Sequence, residues 1–142
     1  MSIDIEPHWR IPDGAGRHRG IGIIGCGGIV PGAHLPAYLA AGLNVVAVHD
    51  VDPARAREVA ASFGIGRVAE SVEDLLATPG VDIVDIAVPP WVQPEMVDRV
   101  AAAGRHILCQ KPFALDYPTA VREVETAEAA GVLLSVNQQM RW

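Results

Sequence analysis

Cysteine is scarce in this chain, with two residues, Cys26 and Cys109, among 142. Both fall at the ends of apolar segments and neither has a paired histidine. They read as reduced thiols of a cytosolic protein, which sets aside a disulfide-stapled fold and a zinc site. Long hydrophobic runs are also missing. None approaches the roughly 18–20 residues that a bilayer-spanning helix needs, and the N-terminal residues carry no signal-peptide pattern. No membrane association is therefore expected, and the expected location is cytoplasmic. Basic charge is in deficit, with 11 Lys and Arg against 17 Asp and Glu and a net charge of −6. There is no block of like charges and no basic stripe, so nucleic acid is not an expected partner.

What remains is apolar and regular. Half of the residues are hydrophobic and 20% are charged, the balance of a globular chain rather than a disordered one. The length suits one domain, burying roughly 68–70% of the unfolded surface. Residues 1–19 are polar, contain Pro and Gly, and hold no sustained period; they read as a flexible leader. From residue 20 to 142 two patterns alternate. Short apolar runs with the look of strands buried on both faces cover Gly20–Gly25, Asn44–His49, Asp82–Val88, His106–Cys109 and Val132–Val136, with a weaker one at Gly66–Ala69. Ala-rich stretches of helical spacing lie between them.

Each helix carries its own punctuation. Pro31–Ala41 contains Pro36, which kinks it or shortens its regular part. Pro53–Phe63 starts with Pro after a capping Asp52. Ser71–Ala77 opens on Ser-Val-Glu-Asp, resembling a capping box. Glu95–Ala103 and Pro118–Ala130 stop at Gly104 and Gly131. Alternating β and α units of this length predict an α/β, Rossmann-type doubly wound parallel sheet in three αβα layers. Ligands in that architecture bind at the carboxyl ends of the strands, where the strand order reverses.

The run Ile21-Gly22-Ile23-Ile24-Gly25-Cys26-Gly27-Gly28-Ile29-Val30 is the strongest local signal. An apolar segment ends in a glycine turn and a helical pattern follows. Glycine permits a tight turn and a close approach of phosphate to backbone, and the next helix offers N–H groups and the positive end of its dipole. Gly25 and Gly27 fill the first two glycine positions of a dinucleotide-binding turn. Val30 stands where a third Gly or Ala is usual, which implies a slightly wider helix.

The other candidates also sit at strand ends. Asp50 closes the second run, 25 residues after Gly25. Its carboxylate suits the ribose hydroxyls of an adenosine and repels a 2′-phosphate, and Val51 rather than Arg follows it. This favours NAD over NADP. Asp52 is the better helix cap of the two. Pro89-Pro90, after Val88, ends its strand abruptly and makes a rigid edge that suits one wall of a nicotinamide site. Lys111, between Gln110 and Pro112, is placed to direct an ammonium into the cleft and to favour an alkoxide during hydride transfer. His34 reads as a packing or capping histidine, Arg55 and Arg57 as a solvated helix face. Asn137, Gln138, Gln139 and Arg141 follow the last strand and are candidates for the same cleft.

Taken together these pieces resemble the Gfo/Idh/MocA family of NAD(P)-dependent oxidoreductases, from about Gly20 to Trp142. The resemblance rests on Gly25-Cys26-Gly27-Gly28-Ile29, His34-Leu35-Pro36-Ala37, Asp50 through Ala56, Val88-Pro89-Pro90, Gly104 through Cys109, Lys111-Pro112, and Asn137 with Arg141-Trp142. It implies hydride transfer between a nicotinamide and a hydroxyl-bearing carbon of a sugar, polyol or related metabolite. It implies that Gly25, Gly27 and Gly28 cradle the pyrophosphate, with Ile29 and Val30 also in the cofactor site, that Asp50 binds ribose, and that Lys111 is the catalytic residue beside nicotinamide and substrate. Val88, Pro89, Pro90, Gln93, Gln110 and Pro112 complete the implied cofactor site, and no metal is implied.

Two residues depart from the family pattern. Gln110 replaces the Glu of the usual Glu-Lys-Pro, removing a negative charge beside Lys111. Gln93 takes a place where His often follows the Pro-Pro edge. Family members also carry a second α/β domain that supplies substrate contacts, an acid/base and the oligomer interface. The expectation is that this chain lacks it and is the cofactor half of an enzyme, open to a homo-oligomer or a partner chain. A stand-alone NAD-binding or interaction module is the alternative reading. An S-adenosylmethionine-dependent methyltransferase is a third, which Gln110-Lys111-Pro112 argues against.

Overall fold

Apolar residues on both faces of every central strand call for helices on both sides of the sheet. The computed structural model, which describes residues 18–138, has that arrangement. In chain order the elements are β1 (Gly20–Ile24), a π-helical turn (Val30–His34), α1 (Leu35–Ala40), β2 (Asn44–His49), α2 (Pro53–Phe63), α3 (Val72–Leu76), β3 (Val81–Ile86), α4 (Gln93–Ala102), β4 (His106–Gln110), α5 (Tyr117–Ala129) and β5 (Leu134–Asn137). All strand pairs are parallel, in the order β2-β1-β3-β4-β5. The order reverses between β1 and β3, so a crevice opens where their carboxyl ends diverge.

Alternation along the strands divides the core in two. Ile21, Ile23 and Val48 face α1 and α2 and pack with Leu35, Ala56, Val59 and Ala60. Val84, Ile86, Ile107 and Cys109 face the other way, onto Leu75 of α3, Val97 and Val100 of α4, and Ala127 of α5. The three-layer αβα sandwich follows from this pattern.

Local signals place the helix ends. Asp52 accepts the N–H groups of Ala54 and Arg55 at the start of α2, Ser71 that of Asp74 at α3, and Asp116 that of Thr119 at α5. Gly64 stops α2 in the left-handed region, at φ +68°. The Pro31–Ala41 segment is irregular where Pro36 requires it. Leu35 N–H reaches back to Val30 O, one residue beyond the α-helical reach, before α1 begins. Proline has no N–H and its ring crowds the preceding turn, so the ladder widens there.

Other boundaries shift. The weak strand expected at Gly66–Ala69 reduces to one parallel bridge, Val48 to Val68, at the outer edge of β2. α4 starts two residues earlier than expected, at Gln93, because Pro94 is tolerated in a first turn. β4 runs on to Gln110. Of the expected leader, residues 1–17 lie outside the described residues. No helix among the described residues is long and apolar enough to cross a membrane.

Candidate active site

The carboxyl ends of β1 to β4 open into a cleft of about 1000 Å³. Gly25, Gly27 and Ile29 form its base. Asp50, Val51 and Arg55 stand on one side, and Val88, Pro89, Pro90, Gln110 and Lys111 on the other.

The two glycines are needed for different reasons. Gly25 has φ +96°, and a Cβ there would sit 2.5 Å from the carbonyl oxygen of Ala87. The backbone packs too closely against the exit of β3 for any side chain. Gly27 has open space instead; a Cβ would meet nothing within 4 Å. That space faces the cleft and admits a phosphate against the main chain.

Asp50 is buried where β2 ends. Its Oδ2 accepts the Cys26 N–H at 2.7 Å and its Oδ1 accepts the Asp52 N–H at 2.8 Å. The carboxylate therefore ties the glycine turn to the β2 exit. The Arg55 guanidinium lies 3.4 Å from Oδ1. Burial, and then the Asp50 charge, push the Cys26 thiol up to about 12, with Arg55 acting in the opposite sense. At neutral pH Cys26 is a packed thiol and not a nucleophile.

Lys111 is exposed at the lip of the cleft, one residue beyond β4. Behind it, polar side chains from three adjacent strand ends meet below the surface. Asp85 of β3, Gln110 of β4 and Asn137 of β5 converge on His34. His34 Nδ1 is 2.7 Å from Asp85 Oδ2, and the Tyr38 hydroxyl donates to the same oxygen at 2.7 Å. His34 Nε2 is 2.7 Å from Gln110 Nε2 and 3.3 Å from Asn137 Nδ2. Gln110 Oε1 accepts the Lys111 N–H at 2.7 Å. Burial, reinforced by Asp85, raises the Tyr38 pKa far above its usual range, so its hydroxyl stays a donor.

A glycine turn, a carboxylate at the second strand and a lysine after a later strand thus share one crevice of a doubly wound sheet. The model of the oxidoreductase family with an NAD-binding Rossmann fold, Gfo/Idh/MocA, matches residues 19–138. The chain belongs to this oxidoreductase family.

It is 37% identical over 121 residues to D-apiose dehydrogenase of Paraburkholderia graminis, covering 84% of this chain and 32% of that protein. Its fold matches an oxidoreductase from Agrobacterium radiobacter in complex with NAD+, L-tartaric acid and magnesium, with TM-score 0.83 and 33% identity over 88% of this chain and 36% of that one. It also matches a 3-ketoreductase from Actinomadura kijaniata in complex with NADP and TDP-benzene, with TM-score 0.78 and 32% identity over 87% of this chain and 40% of that one. The chain spans about a third of the length of the curated relatives it matches.

The residues of this chain fit a dinucleotide. The opening at Gly27 suits a pyrophosphate and the Asp50 carboxylate suits a ribose. Of the expected site residues, Gly25, Gly27, Ile29, Asp50, Val88, Pro89, Pro90, Gln110 and Lys111 line the cleft.

Four expected site residues stand elsewhere. Val30 is fully buried with Ile23, Leu35 and Val48, where its branched side chain fills the space under the turn. Gln93 is also fully buried. Its amide is shared among the carbonyls of Val88, Gln110 and Pro112, at 3.3, 3.0 and 3.1 Å, so it braces two loops from behind the wall. Gly28 and Pro112 flank the cleft without lining it.

Arg55 is exposed on α2, in keeping with its reading as a solvated residue, and it also lines the cleft beside Asp50. Asp52 as cap and Pro53 as first residue already put Arg55 in the first turn of α2, next to the strand end; that was the available signal. Met96 and Arg99 also line the cleft and had none. Arg99 pairs there with Glu73 and Glu95. Of the residues expected after the last strand, Asn137 points to His34 rather than into the cleft, and Gln139 and Arg141 lie outside the described residues.

Proposed function

We propose that this chain holds NAD(H), in preference to NADP(H), for hydride transfer to or from a hydroxyl-bearing carbon of a sugar, polyol or related metabolite. The observation that carries this reading is the shared cleft. Gly27, Asp50 and Lys111, from three different strand ends, line a single cavity. Dehydrogenase and reductase activities on sugars among the relatives support the substrate class.

When bound, the nicotinamide donates or accepts the hydride. The chain's own residues do the rest. The opening at Gly27 receives the pyrophosphate against the backbone. The Asp50 carboxylate accepts hydrogen bonds from ribose hydroxyls, and its charge opposes a 2′-phosphate. The Pro89-Pro90 edge walls the nicotinamide end and keeps water from one side. Lys111 directs its ammonium at the substrate oxygen, stabilising alkoxide character as the C–H bond breaks. Full turnover also needs the substrate carbon held near the ring and a proton moved. Those tasks belong to residues outside the described cleft, in a second domain, a second copy or a partner chain. A cytoplasmic location agrees with two buried thiols, Cys26 and Cys109.

Titration of the purified chain with NADH and NADPH, followed by fluorescence, tests the cofactor assignment. Tighter binding of NADH is the expected result. Failure to bind either, or tighter binding of NADPH, would remove it.

A further inference from the structure

The polar cluster behind Lys111 is too ordered to be treated as filler. Three adjacent parallel strands carry a polar side chain on the same face of the sheet at or next to their last residue, and all three meet one imidazole. His34 is 5% exposed, Asp85 0% and Gln110 7%. Polar groups at this depth call for hydrogen-bond partners, and each has one here apart from Asp85 Oδ1, which has none among the described residues.

Accounting for the hydrogens leaves one arrangement. The Lys111 N–H can only donate, so the atom of Gln110 that faces it at 2.7 Å is the carboxamide oxygen. The carboxamide nitrogen then faces the imidazole at 2.7 Å, and it too can only donate. His34 Nε2 must therefore be an acceptor, for Gln110 and for the more distant amide of Asn137. The ring proton stands on Nδ1 and is donated to Asp85, whose same oxygen takes the Tyr38 hydroxyl. Each link requires the next.

We propose that His34 is a positioning residue for Lys111, acting through Gln110 as the neutral, Nδ1-protonated tautomer. The inference rests on the reading of Lys111 as the residue that meets substrate. Asp85 sets the tautomer, the tautomer orients the Gln110 carboxamide, and the carboxamide pins the first peptide N–H beyond β4. That peptide carries the Lys111 Cα, so the network fixes where the ammonium leaves the wall. A carboxylate at this position has no proton to offer Nε2, so Gln110 and the Nδ1–H tautomer are a matched pair.

The test begins with the unaltered chain. Nitrogen-15 NMR of histidine-labelled protein reads the tautomer directly and stands even if a variant fails to fold. A protonated Nδ1 and a bare Nε2 are expected for His34; protonation at Nε2, alone or together with Nδ1, overturns the proposal. Amide hydrogen exchange at Lys111 is then compared in the unaltered chain, His34→Ala, Gln110→Ala and the double variant. His34→Ala is expected to speed Lys111 exchange about tenfold or more. The double variant is expected to match Gln110→Ala alone, because one path carries both effects. Unchanged exchange in His34→Ala, or effects that simply add, would give His34 a packing role only and overturn the proposal. NADH titration of the unaltered chain tests the cofactor reading separately, so either one can fail while the other stands.

Discussion

On the proposed reading, Asp50 and Arg55 act on cofactor choice as a pair. The guanidinium 3.4 Å from the Asp50 carboxylate offsets part of its repulsion toward a 2′-phosphate. Asp50→Asn keeps an acceptor oxygen for a backbone N–H but removes the charge, so the preference for NADH over NADPH should narrow, mainly through weaker NADH binding. Arg55→Ala should widen that preference by a few-fold. Fluorescence titration with both cofactors measures the two ratios, and a wider ratio in Asp50→Asn would contradict the charge account. At the turn, Gly27→Val adds a side chain in open space at ordinary φ, so circular dichroism should stay unchanged while NADH affinity falls by roughly tenfold or more. Gly25→Ala differs, because its Cβ meets the Ala87 carbonyl and φ is positive. It should lower the melting temperature whether or not cofactor is present.

Among the elements, α5 carries an unusual burden. Glu123 is fully buried against α4 and β4, and neither carboxylate oxygen has a hydrogen-bond partner among the described residues. Burial is the main cause that raises its pKa from 4.5 to about 7, with Arg122 lowering it and Asp98 raising it further. Below about pH 4.5 the group is protonated in both folded and unfolded chains and adds no pH-dependent cost. Between about 4.5 and 7 the unfolded chain releases the proton while the folded chain keeps it, so stability falls as pH rises; above 7 the loss is complete. Glu123→Gln should flatten this slope and leave the variant more stable than the unaltered chain at pH 8, by about 1–2 kcal/mol. Urea unfolding at pH 5 and pH 8 checks it. The caps that begin α2 and α3 were legible from short motifs, since each is a contact across two or three residues. The extent of β4 was not, because its end lies where Gln93 reaches across the fold from α4 to the carbonyls of Val88, Gln110 and Pro112.

For the whole molecule, the cleft has walls from four strand ends and lies open to solvent above Lys111. Holding two reacting groups in register contributes roughly 7–11 kcal/mol to lowering a barrier, and a placed acid or base adds about 10²–10⁴-fold. A polypeptide of residues 1–142 is therefore expected to bind NADH and to show no turnover of sugars or polyols. Robust turnover abolished by Lys111→Ala would show a complete active site in these residues. Trp91, Leu115 and Tyr117 are exposed at 70%, 66% and 80%, near the loops that frame the cleft. Apolar surface of that kind promotes association. Sedimentation over a range of concentrations should show self-association that Trp91→Ser weakens.

The order of strands and helices, the glycine turn, the acidic residue after β2 and the lysine after β4 were determined by the sequence alone. Each rests on local physics: an apolar period, a cap, a residue without a side chain, a proline that stops a strand. Only the tertiary structure decided which side chains face the cleft. Val30 and Gln93, near the turn and the Pro-Pro edge in sequence, point away from the cleft into packed interiors, while Arg55 turns toward it. The same holds for His34, whose partners Asp85, Gln110 and Asn137 stand 51, 76 and 103 residues away. No local pattern encodes contacts at such separations. They exist because parallel strands, joined by long crossovers, bring their carboxyl ends to one edge of the sheet.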